Sequence, residues 1–278
     1  MTADPAPPAP APTRRAARPD RLFGFKDVFT TINALGGAIA IFLCIEGEPY
    51  WAGMSMLLGY LCGDTLDGWV ARRLGTSNDF GSEYDTIADH LAHCIAPGAI
   101  VFTVYRTADL GVSDDVRWVI AAALGSSIMV TASIRHARNV VRSISVKGVW
   151  FGMPRTILGF LPVSFVDSEA TAMFPGGYWI GVALIPLLCA TALTYLPYPN
   201  HHLPRGHHPV VKVVIGLFFI TTVGAVVLRP SASFDVLFFW SFTYATGSWL
   251  AFTPAERQSY REVVRRGLDA GAAAEAAR

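Results

Sequence analysis

Apolar blocks of membrane-spanning length, separated by short polar segments, run through most of this sequence and leave few folds open to it. A helix needs about 20 apolar residues to cross the hydrocarbon core of a bilayer. We therefore predict an all-α, polytopic membrane bundle with about eight transmembrane helices. The predicted spans are approximately residues 29–45, 51–70, 85–105, 116–135, 150–166, 178–196, 209–228 and 234–252. A bundle of six spans is the alternative, because the fifth block is short and contains Gly152 and Pro154.

The overall composition agrees with a membrane protein and argues against other classes. Of the 278 residues, 52% are hydrophobic and 15% are charged, whereas a soluble domain has about 25% charged residues. The formal net charge is +1, so no global positive field indicates a nucleic-acid partner. The 4 cysteines are scattered through apolar blocks without a CxxC pair, which favours small packing residues over a disulfide framework.

The basic residues predict how the bundle is oriented. All Lys and Arg residues except Arg106, Arg117 and Arg229 fall on the two tails and the even-numbered connections of the eight-span arrangement. Loops rich in Lys and Arg stay on the cytoplasmic side of a membrane. We therefore predict cytoplasmic termini, an even number of spans, and a location in the cell (inner) membrane.

The chain divides into one membrane domain and two tails. Residues 1–20 are rich in Pro and Ala and lack the apolar segment of a signal peptide, which predicts a disordered cytoplasmic tail. Residues 21–253 form the predicted membrane domain. Its first part, residues 21–31, mixes apolar and basic side chains and predicts an amphipathic helix on the inner leaflet, or simply the start of the first span. Residues 254–278 are polar and predict a helical cytoplasmic tail.

Four aspartates stand at the cytoplasmic edge of the predicted second and third spans. The motif reads Asp64-x-x-Asp67-Gly68-x-x-Ala71-Arg72, followed after eight residues by Gly81-x-x-x-Asp85-x-x-x-Asp89. Residues three or four apart share a helix face, so two helix ends joined by a glycine-containing turn would direct all four carboxylates into one cavity. Such charges repel unless a hard divalent cation neutralises them. The spacing therefore predicts a site for Mg²⁺ or Mn²⁺.

The neighbours of these aspartates suit a phosphate-containing ligand. The small residues Gly68, Ala71 and Gly81 let a nucleotide or phosphate lie against the backbone, and Arg72 can neutralise a phosphate through two parallel hydrogen bonds. Another class remains an alternative, a cation transporter that uses intramembrane carboxylates. A transporter path should have acids spread over several spans, whereas these acids cluster at one edge.

The aspartate motif resembles the signature of the CDP-alcohol phosphatidyltransferase family, and every specified position of that signature matches. The resemblance implies a membrane enzyme, usually dimeric, that transfers a phosphatidyl group from a CDP-linked lipid such as CDP-diacylglycerol to an alcohol and releases CMP. It implies a two-metal site with Asp64, Asp67 and Asp85 as ligands, and Asp89 as fourth ligand and general base. It also implies a CDP pocket. The residues of that pocket are Gly68, Ala71, Arg72 and Gly81.

Further segments resemble the phosphatidylserine synthases of this family. They are Thr31–Asn33, Ser77–Pro97, Arg135–Asn139, Phe151–Pro154 and Leu196–Pro199. This resemblance adds Asn33 to the CDP-binding residues and favours L-serine as the acceptor. The chain departs from the pattern at several positions near the expected acceptor pocket. These positions are His93, Cys94, His136, Asn139 and Arg155.

A cytoplasmic cluster of basic residues is the candidate acceptor site, because guanidinium and ammonium groups bind carboxylates and phosphates. Its members are Arg135, Arg138, Arg142, Lys147 and Arg155. The cluster suits serine, glycerol 3-phosphate and an inositol phosphate alike. Asp89 and His93 share a helix face, and we expect His93 to be a buried hydrogen-bonding residue, with metal ligation as the alternative. Four further histidines flank residues 203–206, and we expect them to lie at the level of the lipid headgroups.

Overall fold

The computed structural model describes residues 23–66, 79–142, 144–200 and 209–276. These residues form α-helices joined by short turns, with one two-stranded ribbon. The helices are α1 Phe25–Ile45, α2 Pro49–Gly59, α3 Asp79–His90, α4 Ala96–Thr107, α5 Asp114–Val141, α6 Arg155–Asp167, α7 Glu169–Met173, α8 Gly177–Ala192, α9 Pro209–Leu228, α10 Ser233–Gly247 and α11 Pro254–Ala276. The strands are β1 Val149–Phe151 and β2 Pro197–Pro199.

Two wider helical turns interrupt the regular helices. A π-helical segment, Tyr60–Asp64, continues α2, and a second, Leu91–Ile95, joins α3 to α4. The second segment leaves α3 and α4 as one continuous helix, Asp79–Thr107. Wider turns of this kind are rare in proteins overall, and those that occur are often found at functional sites.

Among the described residues, three helices are long and apolar enough to cross a membrane. They are Phe25–Ile45, Asp79–Thr107 and Asp114–Val141. Two shorter apolar helices are Gly177–Ala192 and Lys212–Leu228. Each of the eight predicted spans overlaps a helix, so the fold agrees with an all-α membrane protein, while the number of spans stays a prediction.

The fifth predicted span begins differently from the prediction. Residues 150 and 151, placed in this span by their hydrophobicity, belong to strand β1 instead, and the helix begins only at Arg155. Pro154 explains the boundary, because the residue before a proline is disfavoured in the helical conformation and a proline is tolerated at a helix start.

Helix α1 begins within the segment predicted as an interfacial helix. The Asp27 carboxylate accepts a hydrogen bond from the Gly24 N–H at 2.7 Å, which satisfies a backbone donor that the helix start leaves open. From Phe25 the helix runs unbroken to Ile45. The described part of residues 21–31 is therefore continuous with the first span.

Small residues bring α1 and α2 into close contact. A Cβ atom on Gly36 would lie 2.7 Å from the Gly59 Cα, so the two backbones pack where side chains are absent. The Ser55 hydroxyl donates to the Gly36 carbonyl at 3.0 Å. Close packing of small residues and hydrogen bonds between helices are the usual means of helix association in a membrane.

The apolar core lies between α2, α4, α5, α6, α8 and α10. Tyr105, Ile128, Leu161, Ile185 and Leu237 are fully or almost fully buried there. Large apolar side chains also cover the outside of the bundle, for example Phe42 and Ile45 of α1. An apolar exterior of this kind fits a protein surrounded by lipid.

The ribbon lies at one end of the bundle. Strands β1 and β2 pair antiparallel, with Trp150 opposite Tyr198. Phe151 of β1 packs with Phe252 and with Val264 of α11 in a small second core. The C-terminal helix therefore covers the ribbon, a contact that the sequence did not predict.

Candidate active site

Asp89 on α3 lies where three helices meet. Its Oδ1 accepts a hydrogen bond from Nδ2 of Asn33 on α1 at 3.2 Å. Its Oδ2 accepts one from Nη2 of Arg155, the first residue of α6, at 3.1 Å. The Asp89 side chain is 17% exposed, so the carboxylate is shielded from bulk water but still reachable. An arginine partner stabilises the ionised form of such a shielded carboxylate.

Asp64 and Asp89 converge with His93. The His93 Nε2 atom lies 3.9 Å from Asp64 Oδ2 and 3.7 Å from Asp89 Oδ1. One potential ligand atom from each of the three residues lies within 4.8 Å of the others. The spacing argument predicted that Asp64 and Asp89 would meet, and the structure brings them together.

The geometry of the helices explains why these side chains meet. Asp64 ends the first π-helical segment, and His93 lies in the second. A Cβ atom on Gly63 would lie 2.5 Å from the Asn33 backbone nitrogen, and one on Gly159 would lie 2.8 Å from the His93 carbonyl oxygen. These two glycines therefore let α2 and α6 approach the site closely.

His93 is buried against aromatic rings. Its side chain is 1% exposed, and its ring lies 5.9 Å from the Tyr60 ring and 5.6 Å from the Phe160 ring, centroid to centroid. Neither ring nitrogen has a hydrogen-bond partner among the described residues. The prediction of a buried histidine is confirmed, whereas the hydrogen bonds expected for it are absent from the described part of the chain.

The residues around Asp89 fit a divalent metal ion. Two carboxylates and one imidazole are common metal ligands, and buried polar nitrogens without partners normally indicate a missing ligand, ion or water. The site could therefore hold an ion at Asp64, Asp89 and His93. This observation does not identify the ion.

The other predicted metal and CDP residues have different positions. Asp85 lies one helical turn before Asp89 on α3 and is partly exposed, outside the group formed with His93. Gly81 is buried against α1, where an added Cβ atom would lie 2.3 Å from Lys26 Nζ and 2.6 Å from Asp27 Oδ1. Four predicted residues lie outside the described part of the chain. These residues are Asp67, Gly68, Ala71 and Arg72.

The five basic residues predicted to bind the acceptor make different contacts. Arg135 Nη2 donates to the Gly152 carbonyl at 3.4 Å. Arg138 donates to the carbonyls of Leu193, Thr194 and Phe151. Arg142 and Lys147 are exposed beyond the end of α5. Arg155 contacts Asp89 of the aspartate site.

Arg155 has a further nitrogen available. Its Nη2 binds Asp89, while its Nη1 is buried and has no hydrogen-bond partner among the residues that the structure describes. The first backbone N–H groups of α6 are near the same side chain in sequence and carry the partial positive charge of a helix start. Arg155 therefore has a second hydrogen-bond donor, Nη1, on the same guanidinium group that binds the Asp89 carboxylate.

The sequence alone did not indicate the positions of two residues of this site. Tyr60 lies in the second predicted span, and its ring packs on both His93 and Phe160. His93 was interpreted as a hydrogen-bonding core residue. The four-residue spacing between Asp89 and His93 was the signal available for its position.

A helical membrane protein with a shielded acidic site that can hold a metal ion is the class that this fold and site define. The model of the CDP-alcohol phosphatidyltransferase family matches residues 25–195, which is more than half of the chain and includes every described site residue. The chain belongs to this family and is an enzyme of that type. This membership removes the support for the cation-transporter alternative.

Curated relatives cover most of the chain. A CDP-diacylglycerol–serine O-phosphatidyltransferase of Methanocaldococcus jannaschii is 26% identical over 210 residues, which are 76% of this chain and 87% of the relative. An enzyme of the same name from Helicobacter pylori is 26% identical over 82% of this chain and 92% of its own length. A phosphatidylinositol phosphate synthase of Cutibacterium acnes is 24% identical over 60% of this chain and 78% of its own length.

Proposed function

We propose that this enzyme transfers the phosphatidyl group of CDP-diacylglycerol to the hydroxyl of L-serine, forming phosphatidylserine and CMP. Family membership supports the transfer, and the names of the Methanocaldococcus and Helicobacter relatives support serine. The observation that carries the proposal is Arg155, which contacts Asp89 through Nη2 and keeps beside it a buried Nη1 that has no partner among the described residues. A serine carboxylate on Nη1 would place the serine hydroxyl close to the Asp89 carboxylate.

The reaction in this proposal is a single displacement. The serine oxygen attacks the phosphorus next to the lipid, the Asp89 carboxylate takes the hydroxyl proton, and the bond from phosphorus to the CMP oxygen breaks. Asn33 donates to Oδ1 and Arg155 donates to Oδ2 of Asp89, so both keep the carboxylate ionised and correctly oriented. Bound Mg²⁺ or Mn²⁺ would neutralise charge on the diphosphate.

The residues that would hold the ion are the predicted aspartates. Asp64 and Asp89 are near one another in the structure, and Asp67 and Asp85 complete the predicted set of four. We propose a two-metal site, with the residues of the signature between Asp67 and Gly81 shaping the CDP pocket. The family resemblance and the acidic site support this arrangement.

We also propose the arrangement in the membrane that the charges of the loops predict. Eight spans with cytoplasmic termini would put the aspartate site at the cytoplasmic face of the inner membrane, where CMP and serine can exchange. Residues 1–20 and 254–278 would be cytoplasmic tails of a membrane domain at 21–253, and the enzyme would be a homodimer as is usual in the family. The distribution of basic residues supports the orientation.

Purified enzyme with labelled CDP-diacylglycerol tests the acceptor. L-serine, glycerol 3-phosphate, an inositol phosphate and serine methyl ester are supplied separately, and the product headgroup is identified. We expect L-serine to be used well and its methyl ester poorly, because the ester lacks the negative charge that Arg155 would bind. Efficient use of glycerol 3-phosphate or inositol phosphate without serine would show that the acceptor assignment is wrong.

A phosphorylated alcohol is the second candidate acceptor. The Cutibacterium relative is named for phosphatidylinositol phosphate synthesis, and a guanidinium nitrogen binds phosphate as well as carboxylate. Arg155→Gln distinguishes binding of the acceptor from general damage. We expect a rise of about tenfold or more in the KM for the charged acceptor and little change in the KM for serine methyl ester, while any loss of kcat through the Asp89 contact should affect both acceptors alike.

A further inference from the structure

We propose that His93 is a direct ligand of the metal ion, so that this enzyme has a mixed nitrogen and oxygen site rather than one built from carboxylates alone. The proposal deepens the proposed function, because it concerns the same site. It also names the kind of ion that this chain prefers, a transition-metal ion such as Mn²⁺ in place of Mg²⁺.

Three features of His93 carry the proposal. The side chain is 1% exposed, and both ring nitrogens lack a hydrogen-bond partner among the described residues. A buried polar group without a partner destabilises the folded protein, so such a group is normally satisfied by an ion, a water molecule or a ligand. The Nε2 atom faces two carboxylate oxygens, one from Asp64 and one from Asp89.

The distances suit a shared ion. Nε2 is 3.9 Å from Asp64 Oδ2 and 3.7 Å from Asp89 Oδ1, which is too long for hydrogen bonds. Two ligand atoms that are each about 2.1 Å from one ion can be at most about 4.2 Å apart. Both distances are therefore short enough for the three side chains to share an ion.

The surroundings hold His93 in place for this role. Tyr60 and Phe160 pack against the ring, and the Gly159 position lets α6 lie against the His93 backbone. On the other side of the site, Arg155 binds Asp89 through Oδ2, which leaves Oδ1 facing Nε2. Groups that orient metal ligands in this way raise metal affinity.

The choice of ion follows from ligand chemistry. Mg²⁺ strongly prefers oxygen ligands, whereas divalent transition-metal ions accept nitrogen ligands more readily. Replacing one oxygen ligand by a histidine nitrogen therefore shifts the preference away from Mg²⁺.

Pulsed electron paramagnetic resonance of bound Mn²⁺ tests the proposal directly. The purified full-length enzyme is loaded with Mn²⁺ alone, and the spectrum is examined for coupling to a directly bound imidazole nitrogen. We expect this coupling in the wild type, and we expect uniform ¹⁵N-histidine labelling to change it. We expect His93→Gln to lose the coupling and to bind Mn²⁺ at least about tenfold more weakly, since even indirect partners of a ligand contribute that much.

His90→Gln is the matched control. His90 lies on the same helix and bonds to the Ser133 hydroxyl at 2.9 Å, so this variant should keep the wild-type coupling. His93→Phe should also lower the ratio of Mn²⁺ to Mg²⁺ affinity by about tenfold. Coupling that is absent from the wild type, or unchanged in His93→Gln, overturns the proposal, as does a failure of Mn²⁺ to bind. If His93→Gln does not fold, the isotope-labelled wild type decides alone.

The same preparations separate this inference from the proposed function. One outcome is CMP release from CDP-diacylglycerol with Mg²⁺ but no nitrogen coupling with Mn²⁺. This outcome would refute His93 as a metal ligand and would leave the proposed transferase function in place. Nitrogen coupling without any CMP release under any ion removes the transferase proposal and leaves the metal site.

Discussion

Asp89 is the residue on which the chemistry of the proposed reaction depends. Its two oxygens have separate partners, Asn33 on one side and Arg155 on the other. A carboxylate held in this way has a fixed direction, which is a property that a general base needs.

Replacing Asp89 by asparagine should remove the base while keeping the shape of the side chain. We expect Asp89→Asn to lower kcat by about 100- to 10,000-fold, the contribution of a positioned general base, with much smaller loss of CDP-lipid binding. Turnover of labelled CDP-diacylglycerol and equilibrium binding of the lipid measure the two effects. Asp79→Asn, at the exposed start of α3, is the control and should behave as the wild type. A kcat close to normal in Asp89→Asn would refute the base assignment.

Arg138 is expected to stabilise the fold rather than bind the acceptor. Its Nη1 donates to the Leu193 carbonyl at 2.6 Å and the Thr194 carbonyl at 3.1 Å, and its Nη2 donates to Phe151 at 3.4 Å. We expect Arg138→Gln to lower the free energy of unfolding by about 1–3 kcal/mol, because carbonyl groups lose a charged donor. Thermal unfolding in detergent measures this loss.

The acceptor KM distinguishes Arg138 from Arg155. Arg138→Gln should leave the KM for serine near the wild-type value, whereas Arg155→Gln should raise it. Equal increases in the KM for serine in the two variants would indicate that Arg138 also binds the acceptor.

At the scale of helices, the site exists because α1, α2, α3 and α6 approach one another closely. The contact between Gly63 and the Asn33 backbone is the tightest of those beside the aspartates, at 2.5 Å for an added Cβ atom. No flexible side chain can move aside there, because the atom on the other helix belongs to the backbone. The position of α2 beside the site therefore depends on a glycine, which has no side chain, at position 63.

Filling that contact should move α2 away from α1. We expect Gly63→Val to destabilise the protein by about 1–3 kcal/mol, as overpacking does, and to weaken Mn²⁺ binding because Asp64 moves with its helix. Gly216→Ala on α9 is the control, since an added Cβ atom there meets nothing within 4 Å. Wild-type unfolding temperature and metal affinity in Gly63→Val would contradict the packing argument.

Much of this element-level arrangement could be predicted from the sequence. Hydrophobic length placed a helix at each predicted span. Of the four aspartates expected to share one cavity, the structure places Asp64 and Asp89 near one another. The strand at Val149–Phe151 could not be predicted in this way, because an apolar run in a membrane protein is typical of a helix. Its pairing with Pro197–Pro199 joins segments far apart in the chain, which local patterns do not report.

The roles of the basic residues were also beyond the sequence alone. Arg135, Arg138 and Arg155 are all arginines near one end of the bundle, and their spacing does not tell a ligand-binding side chain from one that holds carbonyl groups. Tertiary packing decides their partners. Arg155 binds the Asp89 carboxylate, whereas Arg135 and Arg138 bind backbone carbonyl groups.

At the scale of the whole molecule, the charges of the loops predict the orientation in the membrane. The α4–α5 connection contains Asp109 and leads to Asp114 and Asp115 at the start of α5, while the connection after α5 contains Arg142 and Lys147. The positive-inside rule puts the first outside the cell and the second in the cytoplasm. The aspartate site would then open to the cytoplasm.

Single cysteines report this orientation in intact cells. The 4 native cysteines are free thiols, so they are first replaced by alanine or serine, and Ser113→Cys and Ser145→Cys are then made separately. We expect a membrane-impermeant maleimide to label Cys at 113 in intact cells and to label the one at 145 only after permeabilisation. The opposite pattern would invert the predicted topology.

The π-helical segment Leu91–Ile95 gives the long helix through the site one residue more than a regular helix would need. The wide turn absorbs that residue, so the halves of the helix before and after it keep nearly the phase of a regular helix. The irregular turn therefore carries His93 at the site while Asp89, on the regular part of the helix before it, keeps the direction in which it meets Arg155.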